Sequence, residues 1–182
     1  MKKIDNAYFA DRLKQGRRLR RFFNQVLTFL AFLAPGGNAR VKLNRMKGVR
    51  IGVKCWIGDN VTLDIHYAHP DAMNSLTIGD RVTVGPGAKI FTHDTAFAHI
   101  TNGLHPVRFG TVTIGNDTWI GANVVISNCS IGKCCIIVPN TLVTQDVPDY
   151  SLVRGVPGCV EVDLLPVVRR VEASARRRPD TV

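Results

Sequence analysis

An aliphatic residue followed by glycine recurs along this chain on a beat of six: Ile51-Gly52, Ile57-Gly58, Ile78-Gly79, Val84-Gly85, Ile114-Gly115, Ile120-Gly121 and Ile131-Gly132. The aliphatic positions fall into four blocks, 51/57/63, 78/84/90, 114/120/126 and 131/137/143. Four residues behind them runs a second series of small or medium side chains: Cys55, Val61, Val82, Ala88, Val124 and Cys135. Six is neither the period of a helix nor that of simple strand alternation. It fits a coil of short strands joined by corners, with one large and one small side chain per hexad pointing inward. Three hexads close a triangular turn, and successive turns stack as parallel sheets. Aromatics are only 7% against 45% hydrophobic residues, so the interior must be aliphatic and narrow, and the 16 glycines relieve crowding at corners.

Two stretches break the beat, residues 65–75 and 94–111, and insertions in a solenoid project outward as loops that often carry function. From Ile126 to Ile131 the spacing drops to five, so that corner must tighten. The reading is of three parts: a basic, amphipathic helical segment over 1–44, a β-helix over 45–160, and a basic, flexible tail over 161–182.

The net charge of +10 sits at the ends. Residues 1–50 carry 13 Lys/Arg against 2 Asp, residues 51–163 carry 6 against 10 acids, and residues 164–182 carry 5 against 2. Basic arms on a mildly acidic body suit an anionic surface better than a sequence-reading groove, and no finger or stacking motif supports specific nucleic-acid binding. The apolar run of 13 at residues 22–34 is too short for a bilayer, which needs roughly 20 residues. It reads as an amphipathic helix with Phe22, Val26, Phe29, Leu30 and Leu33 near one face and Asn24, Gln25 and Thr28 on the other. Two roles stay open for it, closing the end of the β-helix and lying on an anionic membrane surface. The five cysteines have no metal-ligand spacing and read as small buried thiols of a reducing cytoplasm.

The segments IGDNVTLD (57–64), LTIGDRVTVGPGAKIFTHD (76–94), VTIGNDTWIGANVVI (112–126) and VTQDVPDYSLVRGVPG (143–158) resemble hexapeptide-repeat acetyltransferases of the maltose/galactoside type and the bacterial polysaccharide O-acetyltransferases. The resemblance implies an all-β fold, a left-handed parallel β-helix with an N-terminal helix and an extended active-site loop. It further implies a homotrimer with active sites between subunits and acetyl-CoA as donor. No metal is expected, since four of the five histidines lie in loops and not on regular rungs, and the thiols with the basic, apolar N-terminus point to a cytoplasmic protein, peripheral on the inner face of the membrane if the helix binds there.

Within that resemblance His93, in the motif THD, takes the place of the catalytic base. A sugar hydroxyl is a poor nucleophile, and imidazole as a class titrates near neutrality, so it suits taking the hydroxyl proton during attack on the thioester. The partner that fixes its other nitrogen stays open: adjacent Asp94, a carboxylate from elsewhere, or a backbone carbonyl. Asp64 reads as gripping acceptor hydroxyls near a neighbouring subunit's base, with Asp94, His99 and Trp119 also on the acceptor side. His105, His66 and His69 read as polar loop residues. On the donor side the resemblance assigns Gly121, Ala122, Pro139, Thr144, Gln145, Arg154, Gly155 and Pro157. The chain departs from the family pattern where Gln145 and Cys159 stand in place of cations and Val138-Pro139 in place of a Gly-Ala pair; Arg154 and Lys133 are the nearby replacements. The reading is an O-acetyltransferase acting on a carbohydrate hydroxyl. An N-acetyltransferase of an amino sugar or antibiotic, and a non-catalytic trimeric scaffold, are the alternatives.

Overall fold

Each block of the repeat is one turn of the coil. The computed structural model describes residues 15–65 and 75–176, and the three members of a block go one to each of three sheets. The first sheet stacks β1 (Arg50–Ile51), β4 (Leu76–Ile78), β9 (Val112–Ile114) and β12 (Ser130–Ile131). The second stacks β2 (Trp56–Ile57), β5 (Thr83–Val84), β10 (Trp119–Ile120), β13 (Ile136–Ile137) and β15 (Ser151–Arg154). The third stacks β3 (Thr62–Asp64), β6 (Lys89–Phe91), β11 (Val125–Ser127) and β14 (Leu142–Val143). All these pairings are parallel, and like meets like: Ile51 beside Ile78, Ile57 beside Val84, Leu63 beside Ile90, Ile126 beside Val143. The small series, including Val82, Ala88, Val124 and Cys135, fills the interior between them.

Stacking, more than turning, explains the glycines. A Cβ on Gly121 would lie 2.5 Å from the Pro139 nitrogen of the next turn, and one on Gly58 would lie 2.6 Å from the Pro86 nitrogen. The left-handed backbone of the corners falls instead on Asp117, Asn123, Cys134 and Asn140, residues with positive φ that follow a glycine by two or stand six apart. The shortened corner after Ile126 closes through Asn128, also left-handed, and buries Cys129. Burial pushes the Cys129 thiol up to about 11, which leaves it protonated and inert. Cys55 and Cys135 are buried as well, but Cys159 is exposed, so the reading of all five thiols as buried is too broad.

The fold is all-β only in part, because helices flank the coil. Two helices precede the coil, α1 (Gln15–Leu33) and α2 (Gly37–Lys47), joined by a short turn and packed together. In the coil each turn donates its N–H groups to carbonyls of the next, as Gly52 N does to Ile78 O and Gly58 N to Val84 O. The first turn therefore has three inner-position carbonyls that receive nothing from a turn below. Helix α2 supplies a cation to each: Arg45 Nε donates to Ile51 O (3.0 Å), Arg40 Nη1 to Ile57 O (3.4 Å) and Lys47 Nζ to Leu63 O (2.5 Å). Arg40 also pairs with Asp59. Closing the open end thus falls to α2, not to the apolar face of α1.

The segment read as a flexible tail is structured up to Arg176. Strand β16 (Cys159–Asp163) returns antiparallel along β15 and leads into a C-terminal helix, Leu165–Arg176. The strand has no hexad signal because it runs against the coil and buries little.

Candidate active site

The long insertion opens at the edge of the prism that follows the third sheet. There β7 (His93–Asp94) pairs antiparallel with β8 (Arg108–Phe109), and between them lies a single-turn helix, Ala96–Ile100. His93 is thus held on a strand at the foot of the loop. Because Leu63 pairs with Ile90 and Asp64 with Phe91, the end of β3 lies at the same edge one turn earlier. The Thr92 hydroxyl, fully buried, donates to Asp64 O at 3.1 Å and ties the two turns together there.

This register puts Asp64 Oδ2 2.7 Å from His93 Nδ1, with both side chains about three-quarters shielded, at 29% and 20% exposure. The contact has the length of a charge-assisted hydrogen bond without the alignment of a linear one. A carboxylate at Nδ1 favours the tautomer with Nε2 unprotonated, the form that can accept a proton. The carboxylate beside the His93 ring is thus Asp64 of the same chain. Asp94 turns away: its Oδ1 accepts from Ala96 N at 2.7 Å and starts the short helix.

Behind Asp64 sits a residue that sequence reasoning missed. Lys47, 9% exposed, reaches from the last turn of α2 to Leu63 O and, at 3.3 Å, to Thr28 Oγ1 of α1. Burial pushes its ammonium pKa down while the Asp64 carboxylate pulls it back up. Nothing in the sequence marks it, since it is one of several cations on a helix. A cleft of about 500 Å³ opens here, between Arg21, Asn24, Gln25, Thr28, Phe29 and Phe32 of α1 and Lys47, Asp64 and Ile65.

The other predicted residues do not join His93 within one chain. Thr144 and Gln145 share its edge, later in the stack, and are exposed. Gly121, Ala122, Pro139, Arg154, Gly155 and Pro157 line the next edge round, after the second sheet, where Asn140 N donates to Ala122 O and Leu142 N to Gly155 O. Trp119 is a half-exposed flank of β10 on that sheet. Arg154 Nη1 lies 3.4 Å from Glu161 of β16, and Lys133 lies over the Tyr150 ring, so both replacement cations have partners in the chain. His99 is exposed in the short helix, and His105 meets Phe97 edge-on. His66 and His69 lie outside the described residues. Among the described residues no group of three His, Cys, Asp or Glu is placed to hold a metal.

A family model described as bacterial transferase hexapeptide, six repeats, matches residues 111–145, which include the β9–β10–β11 turn and the tightened corner. Over that stretch the chain carries the repeat of the hexapeptide transferases. Among its relatives is the galactoside O-acetyltransferase of Escherichia coli K12, 29% identical over 131 residues, 69% of this chain and 61% of that protein. This hexapeptide-repeat chain therefore spans about three-fifths of that relative's length. Solved structures share its fold. A hexapeptide-repeat acetyltransferase from Vibrio cholerae superposes with a TM-score of 0.67 at 24% identity, covering 84% of this chain and 94% of the other. A galactoside acetyltransferase in complex with coenzyme A superposes with a TM-score of 0.62 at 22% identity, covering 86% of each chain.

Proposed function

We propose that this protein transfers an acetyl group from acetyl-CoA to a hydroxyl of a carbohydrate, with His93 as general base. The observation that carries the reading is the 2.7 Å contact between Asp64 and His93 at the foot of the long loop. Nε2 of His93 takes the acceptor's hydroxyl proton as its oxygen attacks the thioester carbonyl carbon. The tetrahedral intermediate collapses with cleavage of the C–S bond, and the imidazolium returns the proton to the CoA thiolate. Asp64 holds the ring and stabilises the imidazolium. The relatives' printed activities, a galactoside O-acetyltransferase and a coenzyme A complex, support the donor and the acceptor class.

The protein acts as a homotrimer of left-handed coils. In support, the base and most of the donor-side residues (Gly121, Ala122, Pro139, Gly155 and Pro157 among them) occupy two different edges of one prism, so a second copy is needed to bring them face to face. Phe97, Ile100 and Leu104, exposed on the loop beside His93, give that copy an apolar surface to cover. Arg154 supplies a phosphate contact that Gln145 and Cys159 cannot. We place the protein in the cytoplasm, peripheral on the inner face of the membrane through its basic N-terminus.

The test is thiol release from acetyl-CoA with a panel of sugars and amino sugars, joined to a coenzyme A titration. His93→Ala should lower turnover by about 10²–10⁴-fold without changing CoA affinity. Asp64→Asn should give a smaller loss, because it removes the orienting charge and keeps the shape. Absence of CoA binding at millimolar concentration would leave a trimeric scaffold, and preference for amines would make it an N-acetyltransferase.

A further inference from the structure

Helix α1 is inside out. The stripe it turns toward the rest of the molecule is Asn24, Leu27 and Ala31, with Ala34 just past its end; Leu27 and Ala34 are buried. Its other large apolar residues point away: Phe22 is 65% exposed, Phe29 61% and Leu33 59%, with Phe23, Leu30 and Phe32 beside them. A contiguous face of this kind on a folded domain marks a contact with something apolar. The helix is not long and apolar enough to cross a bilayer.

Charge says what that something is. From residue 12 to residue 58 the chain has no Asp or Glu and twelve Lys/Arg, four of them in RRLRR at 17–21. An apolar helix face beside an unbroken run of cations is the pattern of a helix lying in an anionic lipid interface, where rings sink among the acyl chains and cations meet headgroups. A second copy of this chain would bring an equally cationic segment against the first.

The same helix walls the cleft. Phe29 and Phe32 belong both to the outward face and to the cleft lining, Arg21 stands among the lining residues, and the opposite wall ends at Asp64, against His93. We infer that α1 lies on an anionic membrane surface and opens this cleft onto it, so that the acceptor is a membrane-resident amphiphile: a sugar headgroup on a lipid, carrying an anionic group. The rings of Phe29 and Phe32 take the first part of the apolar tail, Arg21 takes the anionic group, and the sugar hydroxyl reaches the Asp64–His93 edge. The word acceptor rests on the transfer reading; the lipid contact does not.

The experiment places the photocrosslinker benzoylphenylalanine at position 22, 29 or 32 of the full chain. Each protein is illuminated with vesicles of phosphatidylglycerol and phosphatidylcholine, or of phosphatidylcholine alone. Lipid adducts at all three positions, about tenfold fewer on the neutral vesicles and suppressed by salt, are expected. Adducts at position 22 only would mean docking without access to the cleft, and would overturn the inference. So would protein–protein adducts at position 22 joined to loss of the oligomer in Phe22→Glu, which would give the face to a second copy, and so would absence of any adduct. Crosslinking needs neither His93 nor acetyl-CoA. Sugar acetylation that persists without lipid adducts sinks this inference and the membrane placement but leaves the transfer reading standing; lipid adducts on a protein that never binds CoA sink the transfer reading and leave the lipid contact standing.

Discussion

Helices α1 and α2 are neighbours in sequence, both basic, and each has turned an unexpected side to the coil. Helix α2 buries cations, with Arg40 and Lys47 nearly inaccessible, while α1 exposes its phenylalanines. The difference lies in what each one faces. The open end of a β-helix presents carbonyl oxygens, and an apolar lid over them would leave acceptors unsatisfied at roughly 1–3 kcal/mol each. Three side chains with N–H groups at the spacing of α2 meet that need. Helix α1 packs mainly on α2, through a narrow stripe on which Leu27 is its one buried large side chain.

The comparison can be broken most directly at Arg40. Arg40→Met should destabilise the protein by about 2–3 kcal/mol in urea unfolding, since it orphans Ile57 O and frees Asp59. A loss below about 0.5 kcal/mol would mean the cap is decorative. Lys47→Met should cost less, about 1 kcal/mol, because losing the bonds to Leu63 O and Thr28 is offset by relief of the desolvation that depresses its pKa.

That offset has a pH signature. With a folded pKa below the unfolded value of 10.5, Lys47 binds fewer protons folded than unfolded in the window between the two. Stability of the wild type relative to Lys47→Met should therefore rise with pH through that window and be flat below it. A relative stability that falls there would reverse the sign of the burial argument. The smallest effect belongs to α1: Phe22→Ser with Leu33→Ser should change unfolding free energy by less than about 0.5 kcal/mol. A cost comparable to Arg40→Met would show that the outward face is packed against the protein after all.

The site was partly legible in the same way. His93 could be singled out because it stands where the beat of six gives way to the long loop. Its partner could not, because the 65–75 insertion interrupts the count between Asp64 and the next turn, and the pairing exists only once Leu63 is set beside Ile90. Asp94, adjacent in sequence, looked equally suited; a strand alternates its side chains, and this one accepts from Ala96 N instead. The donor residues were readable one by one, but only the folded prism shows most of them on a different edge from the base, with Thr144 and Gln145 on its own edge.

The sequence by itself determined the coil. A side chain of one kind every sixth residue leaves few geometries that bury them all, and glycine at the stacked positions removes the alternatives that need a Cβ there. Only the tertiary structure decided which way the helices face, which carboxylate holds His93 and where the chain returns along β15. Those outcomes depend on what lies opposite each surface, and periodicity describes a segment without saying what will stand across from it.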